Sequence, residues 1–396
     1  MFLMTAGIFQ LVARGEQDEY LTGNPQISFY KYAFRKHTNF AMETKEMLFT
    51  DVVAWGSSST SIIHHHGDML SNVYLQIKLP RLANLVGNEN ASWVRYIGLA
   101  MINKIEFEIG GQVIDSYTGE WIYLYNQLSL SHSKRNGYDF MIGFDVDPTE
   151  SKVLYIPLSF WFCEHSGLSL PLIALSFHEV KIRVHFKSFK ECAINASIEV
   201  PIVATTVLCN YIYLDVDERK LFKNLDQEYI IEQVQMNVNN STTHVNAHID
   251  LHFTNPIKEI IWVIQKDIYR TQAYKDWFNY TYKDNLVPIE NIVLQVNGTD
   301  RFAKLTGEYF NLIQPYQHHT AIPDNGGICV YSFAIHPESH QSSGTMNFSR
   351  VDSAILKIKF MDDYIDDGEK IYVNIYAVGY NVIHIKDGMC KLKYNL

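Results

Sequence analysis

The sequence predicts an all-β protein made of two tandem eight-stranded antiparallel jelly rolls with short crossover helices. Three observations carry that expectation. Apolar and polar residues alternate with a period of two along most of the chain, as in strands with one buried face. Helical spacing is confined to short stretches. The order of strands, turns and helical stretches is also run through twice, at an offset too long for a solenoid repeat.

The elements follow in order. Met1 to Val12 is apolar but shorter than the roughly 20 residues a membrane crossing needs, so it reads as an arm packing on a neighbouring surface or, alternatively, as a short membrane-touching segment. In the first strands, Val73, Leu75, Ile77 and Leu79 alternate with Asn72, Tyr74, Gln76 and Lys78. Gly110-Gly111-Gln112 turns a strand, and Gly119-Glu120 opens a helix with Trp121, Leu124, Tyr125 and Leu128 on one face. Pro157-Leu158-Ser159-Phe160 leads through a loop to the strand Val180 to Phe186, and Val200 to Leu214 closes the first half.

The second half repeats this grammar. Strands around Val234, Ile249 and Ile292 lead to Asn297-Gly298, and Gly307-Glu308 opens a helix with Tyr309, Leu312, Ile313 and Tyr316. Pro315 is expected to end that helix early. Tyr331-Ser332-Phe333 precedes the strand ending at Phe360, and Ile371 to Ile385 closes the copy. Glu120 and Glu308 stand 188 residues apart, Phe160 and Phe333 only 173, so the second copy has the shorter loop. Each copy has the size and strand count of a jelly roll. The charge run 215–220, read as a solvated turn, marks the boundary; the expected division is an arm over 1–26, rolls over 27–214 and 228–396, and a linker over 215–227.

Composition narrows the function. The 396 residues, 47% apolar and 19% charged, suit two or three globular domains with ample core. A net charge of −10 supplies no basic field, so no direct nucleic-acid contact is expected. Five scattered cysteines (Cys163, Cys192, Cys209, Cys329, Cys390) suggest neither a disulfide framework nor a cysteine zinc site and fit a reducing compartment.

No catalytic, cofactor or metal residues are assigned. Phosphate-loop, dinucleotide, zincin and nucleophile-elbow motifs do not occur. His64-His65-His66 and His318-His319 resemble metal ligands, but neighbours on an extended segment point to opposite faces, so both are read as exposed or interface loops. Glu120 and Glu308 fall in different copies at helix starts, which suits helix stabilisation better than paired acid–base work. Asp362, Asp363, Asp366 and Asp367 read as an acidic turn rather than a calcium site. Sequons at Asn90, Asn195, Asn239, Asn240, Asn279, Asn297 and Asn347 are treated as mostly chance.

Several segments, taken together, are familiar. Gln10-Leu11-Val12-Ala13, Tyr20 to Ile27, Arg35 to Ala41, Gly110 to Asp115, Phe160-Trp161-Phe162-Cys163 and Leu170 to Leu175 mark the first half. Ile231 to Gln235, Lys258 to Val263, Asp300-Arg301-Phe302, Tyr309-Phe310-Asn311 and Asn347 to Arg350 mark the second. In these the chain closely resembles the major capsid proteins of nucleocytoplasmic large DNA viruses, which are double jelly rolls. Ser342 and Lys391 depart from the usual family pattern without touching the fold.

The resemblance implies a non-enzymatic virion protein. Three copies would form a homotrimer of six similar barrels, a pseudo-hexameric capsomer that tiles the icosahedral shell of a large DNA virus beside neighbouring capsomers. Minor capsid proteins and an internal viral membrane are the implied partners beneath, with assembly in the host cytoplasm. Asn24 to Phe40 is expected at the base of the first barrel, and the crossovers 129–151 and 314–327 on the outside; compact connections imply a low outer tower. A paralogous minor capsomer or scaffold lattice protein of the same fold is the alternative. A glycan-binding or glycan-hydrolysing sandwich is disfavoured because Trp121 and Trp262 sit in core-like periodic segments.

Overall fold

The computed structural model describes residues 6–84, 87–271, 275–283, 286–366 and 368–394; Met1 to Thr5 of the arm and Asp367 of the acidic turn lie outside them. Residues up to Asn39 form one unit and those from Phe40 onward another. The first unit carries helix α1 (Ala6–Val12) and two short turns of helix, and, among the described residues, no strand. Ile8, Phe9, Leu11, Val12, Tyr20, Phe29, Tyr30 and Phe34 are all exposed on it.

The second unit holds both rolls. In the first roll the strands are β1 (Phe40–Leu48), β2 (Ser58–Ile63), β3 (Met69–Leu79), β4 (Ile102–Ile109), β5 (Gln112–Tyr117), β6 (Lys152–Pro157), β7 (Val180–Phe186) and β8 (Ala204–Leu214). They pair antiparallel as β1-β8-β3-β6 and β2-β7-β4-β5. In the second roll they are β9 (Gln227–Thr242), β10 (Asn246–Asp250), β11 (Pro256–Lys266), β12 (Ile289–Val296), β13 (Thr299–Asp300), β14 (Ile328–Ser332), β15 (Ala354–Phe360) and β16 (Ile371–Lys386). Their sheets run β9-β16-β11-β14 and β10-β15-β12-β13, the same order shifted by eight strands. The duplication read from spacing is therefore a duplication of topology.

Local chemistry explains the shared corners. The β4–β5 hairpin turns on Gly110 and Gly111, and the β12–β13 hairpin on Asn297 and Gly298; all four have positive φ, as a two-residue type I′ turn requires. Asn297 also accepts from the backbone N–H of Asp352 (2.9 Å) and Ser353 (3.0 Å). Helix α2 (Gly119–Ser129) is capped by Thr118, whose hydroxyl accepts from Trp121 N–H at 3.2 Å. A Cβ on Gly119 would lie 2.0 Å from the Leu99 carbonyl oxygen, and one on Gly307 2.5 Å from Val287 Cγ1, so both copies need glycine where the helix starts against the barrel.

Crossover 129–151 contains helix α3 (His132–Ile142). Two local expectations are corrected. The run at 215–220 is not a turn but opens helix α4 (Val216–Asn224): Asp215 accepts from Val216 N–H at 2.7 Å, and Arg219 donates to the buried Asp68 at 2.7 Å. Pro315 does not end its helix. Residues Tyr309–Ile313 form a π-helical turn that continues into helix α5 (Gln314–His318), so the wider turn absorbs the missing N–H and Pro315 falls near the start of the new segment.

Candidate functional site

The two rolls of the second unit meet in a seam, and buried polar and charged side chains gather there. The seam is legible in β11, where every residue from Ile257 to Gln265 is buried. Ile260, Trp262 and Ile264 face their own barrel's core, whereas Ile261 and Val263, with Tyr376 and Val378 of β16, join the first roll's core. A strand covered on both faces reads as a continuous apolar run, and Ile257 to Ile264 nearly does. In the first roll the equivalent β3 is covered on one face only: Val73, Leu75, Ile77 and Leu79 are buried, while Tyr74 and Gln76 are half-buried and Lys78 is exposed.

A polar knot pins the seam. Glu120, expected simply to stabilise its helix start, instead reaches the second roll. It accepts from Tyr280 Oη (2.8 Å), Asn374 Nδ2 (2.6 Å) and the Tyr376 hydroxyl. Tyr376 also lies 3.2 Å from Thr118 Oγ1, and its ring packs on Trp121 with centroids 5.6 Å apart. Glu308, the other copy's counterpart, is exposed. Further bonds cross from Ala321 N–H to the Leu128 carbonyl (2.8 Å), from Trp277 Nε1 to the Glu191 carbonyl (2.9 Å) and from Val234 N–H to Asp115 (3.2 Å). Burial pushes the Asp115 carboxyl up to about 7.

The second feature is an ionic cluster inside the seam. Lys258 lies 2.5 Å from Glu232, and His319 sits between Glu259 (3.2 Å) and Glu338 (3.0 Å). Tyr125 of the first roll donates to Glu164 at 2.9 Å. Burial pushes the Glu164 carboxyl up to about 7, aided by the Glu232 charge. Burial alone would lower the His319 imidazole, but the Glu259 and Glu338 carboxylates outweigh it and hold it up at about 9. His319 is thus a buried ion-pair partner, correcting the exposed-loop reading.

The other candidates fall elsewhere. His64, His65 and His66 are exposed in the β2–β3 loop, where Tyr211 donates to the His64 carbonyl at 2.8 Å. Asp363 pairs with Lys283, and Asp366 lies 3.5 Å from Lys266. Trp121 and Trp262 are buried in apolar clusters. Tyr280 and Asn374 were not singled out from sequence; Lys258 and Glu259 entered only within the segment Lys258 to Val263, as an adjacent pair of opposite charges inside an otherwise apolar run.

Two rolls of one topology, fused in tandem and joined through a buried seam, define a double jelly-roll protein. The family described as large eukaryotic DNA virus major capsid protein matches residues 218–390, and the major capsid protein N-terminus matches 28–217. A major capsid protein of Pyramimonas orientalis virus is 38% identical over 99% of this chain and all of its own. That of Phaeocystis pouchetii virus is 33% identical over 99% of this chain and all of its own; the alignment spans 520 positions, so that relative carries extra segments. The PBCV-1 VP54 crystal structure superposes with a TM-score of 0.81 at 29% identity, covering 93% of this chain and all of that one. The chain belongs to the major capsid proteins of large eukaryotic DNA viruses and is a structural protein of the virion.

Proposed function

We propose that three copies of this chain close into a homotrimer whose six rolls form a pseudo-hexameric tile of an icosahedral shell. One observation carries the reading: the outward face of the second roll's β9-β16-β11-β14 sheet is covered by the first roll, while the matching face of the first roll is open among the described residues. That face presents Tyr74 and Gln76 of β3, Val153 and Tyr155 of β6 and Leu208 of β8, half-buried or exposed. The complementary element is also open. Trp121, Leu124 and Leu128 of α2 are buried, whereas their counterparts after Gly307-Glu308 leave Leu312, Ile313 and Tyr316 exposed. Setting the second roll's crossover on the next copy's first-roll sheet repeats the intrachain contact between chains. Such a head-to-tail contact closes when its rotation is threefold.

The domain division that goes with this reading is an arm over 1–26, rolls over 27–214 and 228–396 and a linker over 215–227. The exposed apolar residues of the arm suit contacts with minor capsid proteins or a membrane beneath the shell, and crossovers 129–151 and 314–327 suit its outer side. Assembly in the host cytoplasm accords with five free cysteines. The proposed mode of action is assembly, not catalysis.

Leu208→Asp and Tyr316→Asp test the contact from its two sides. Each is expected to leave the circular dichroism and melting of the chain near those of the parent and to abolish the trimer. Trimers surviving both substitutions would contradict the proposed faces.

A further inference from the structure

The edge strands of the two rolls match position by position and differ in what covers them. Glu43 of β1 stands opposite Tyr211 of β8, and Glu232 of β9 opposite Tyr380 of β16. Each closing strand also shifts register against its inner neighbour within two residues of that tyrosine. Met42, Thr44 and Lys45 therefore correspond to Ile231, Gln233 and Val234. The hairpins match as well: Gln112 pairs with Ile109 and Thr299 with Val296, so Arg301 corresponds to Ile114. Within the chain, the first roll's hairpin closes over β9. Gln233 donates its amide to the Ile114 carbonyl, Val234 N–H donates to Asp115 at 3.2 Å, and Ile231 and Ile114 are buried in one cluster. The matching elements at the other two positions lie open among the described residues. β1 is the edge strand of its sheet, with Met42, Thr44 and Glu46 exposed. Arg301 is exposed on the second hairpin, beside a groove of about 410 Å³ whose wall includes Phe333 and Met346.

We infer that a second copy of this chain occupies both surfaces: β1 of one copy lies along the β12–β13 hairpin of the next, with Thr44 over Arg301 as Gln233 lies over Ile114. The inference rests on the trimer reading above and adds to it an edge contact with named partners. Its basis is that the contact already exists once in the chain, between elements of the same topology, and a closed ring of such chains repeats it at every junction between copies. The chemistry of the two versions differs. Ile114 is shut in an apolar cluster, whereas its counterpart Arg301 carries a charge. Glu46, on the same face of β1 as Met42 and Thr44, brings a carboxylate to that guanidinium. Met42 supplies the apolar part of the contact, over Phe333 and Met346. The junction between copies is thus charged where the junction within the chain is apolar, so salt weakens assembly while each folded chain stays intact.

The test uses the full-length protein carrying Thr44→Cys and Arg301→Cys together, treated with a short thiol-to-thiol cross-linker. Each single variant is a control, because Cys163 is only partly buried. The expected result is covalent species of two and three chains from the double variant alone. In parallel, native mass is followed as sodium chloride is raised for the parent, Arg301→Glu, and Arg301→Glu combined with Glu46→Arg. The dissociation constant is expected to rise with salt in the parent. At low salt it should be about tenfold or more higher in Arg301→Glu and fall back in the charge-swapped pair, as like charges facing each other across an interface imply. A trimer that forms without cross-linking and ignores both salt and Arg301→Glu would overturn this junction and leave the trimer standing. A parent that is monomeric at every salt concentration would overturn both. Should a variant not fold, hydrogen exchange of the parent decides. Protection of β1 amides that is lost when the trimer dissociates supports the junction, and equal exchange of β1 in trimer and monomer refutes it.

Discussion

The Glu120 carboxylate of the first roll accepts the Asn374 side-chain amide of the second at 2.6 Å. This bond spans 254 residues of sequence and, with Tyr280 and Tyr376, makes one acid the polar centre of the seam.

That centre has an unequal twin. Glu120→Ala leaves two hydroxyls and an amide in the seam without their acceptor and is expected to cost about 2–4 kcal/mol, as each orphaned polar group costs about 1–3 kcal/mol. Glu308→Ala, at the duplicated but exposed position, should stay within about 0.5 kcal/mol of the parent. Chemical unfolding of both variants measures the difference, and equal losses would refute the asymmetry.

Stability should fall on the alkaline side. His319 rises from 6.5 to about 9 on folding, so its contribution is complete below pH 6.5 and is lost as pH climbs through 9. Linkage sets that contribution at about 3 kcal/mol. Melting temperature measured from pH 6 to pH 10 should decline in the parent and decline less in His319→Gln.

Lys258 is the cation that the seam acids share. Burial alone would lower its pKa, but Glu232, Glu259 and Glu164 outweigh that and raise it. Lys258→Met should cost about 3–5 kcal/mol, because it strands Glu232 without a partner. Adding Glu232→Gln should recover part of the loss, and a double-mutant cycle in urea reads the coupling.

Two glycines should respond in opposite directions. Gly119→Ala sets a Cβ against the Leu99 carbonyl and is expected to cost about 3 kcal/mol or more. Gly137, exposed inside α3 with nothing within 4 Å of an added Cβ, should gain about 0.5–1 kcal/mol on change to Ala. Thermal melts of the two variants provide the comparison.

The sequence carried the barrels well because one-sided strands advertise themselves: Val73 to Leu79 and Val180 to Phe186 alternate cleanly, and the glycine turns recur in both copies. It carried the seam poorly. Nothing near Glu120 in sequence points to Asn374 or Tyr376, since partners brought together by tertiary packing leave no local period. His319 follows another histidine in what reads as a loop, and its burial depends on Glu259 and Glu338 arriving from β11 and from a distant loop. Pro315 misled for a related reason, as a π-helical turn is a response to packing and has no spacing rule of its own.

The most direct test of the central claim is the native mass of the purified protein in solution. A species of three times 45.8 kDa, persisting on dilution, is the predicted result. A monomer that stays a monomer at high concentration would mean that the open face of the first roll and the exposed Tyr316 crossover do not meet.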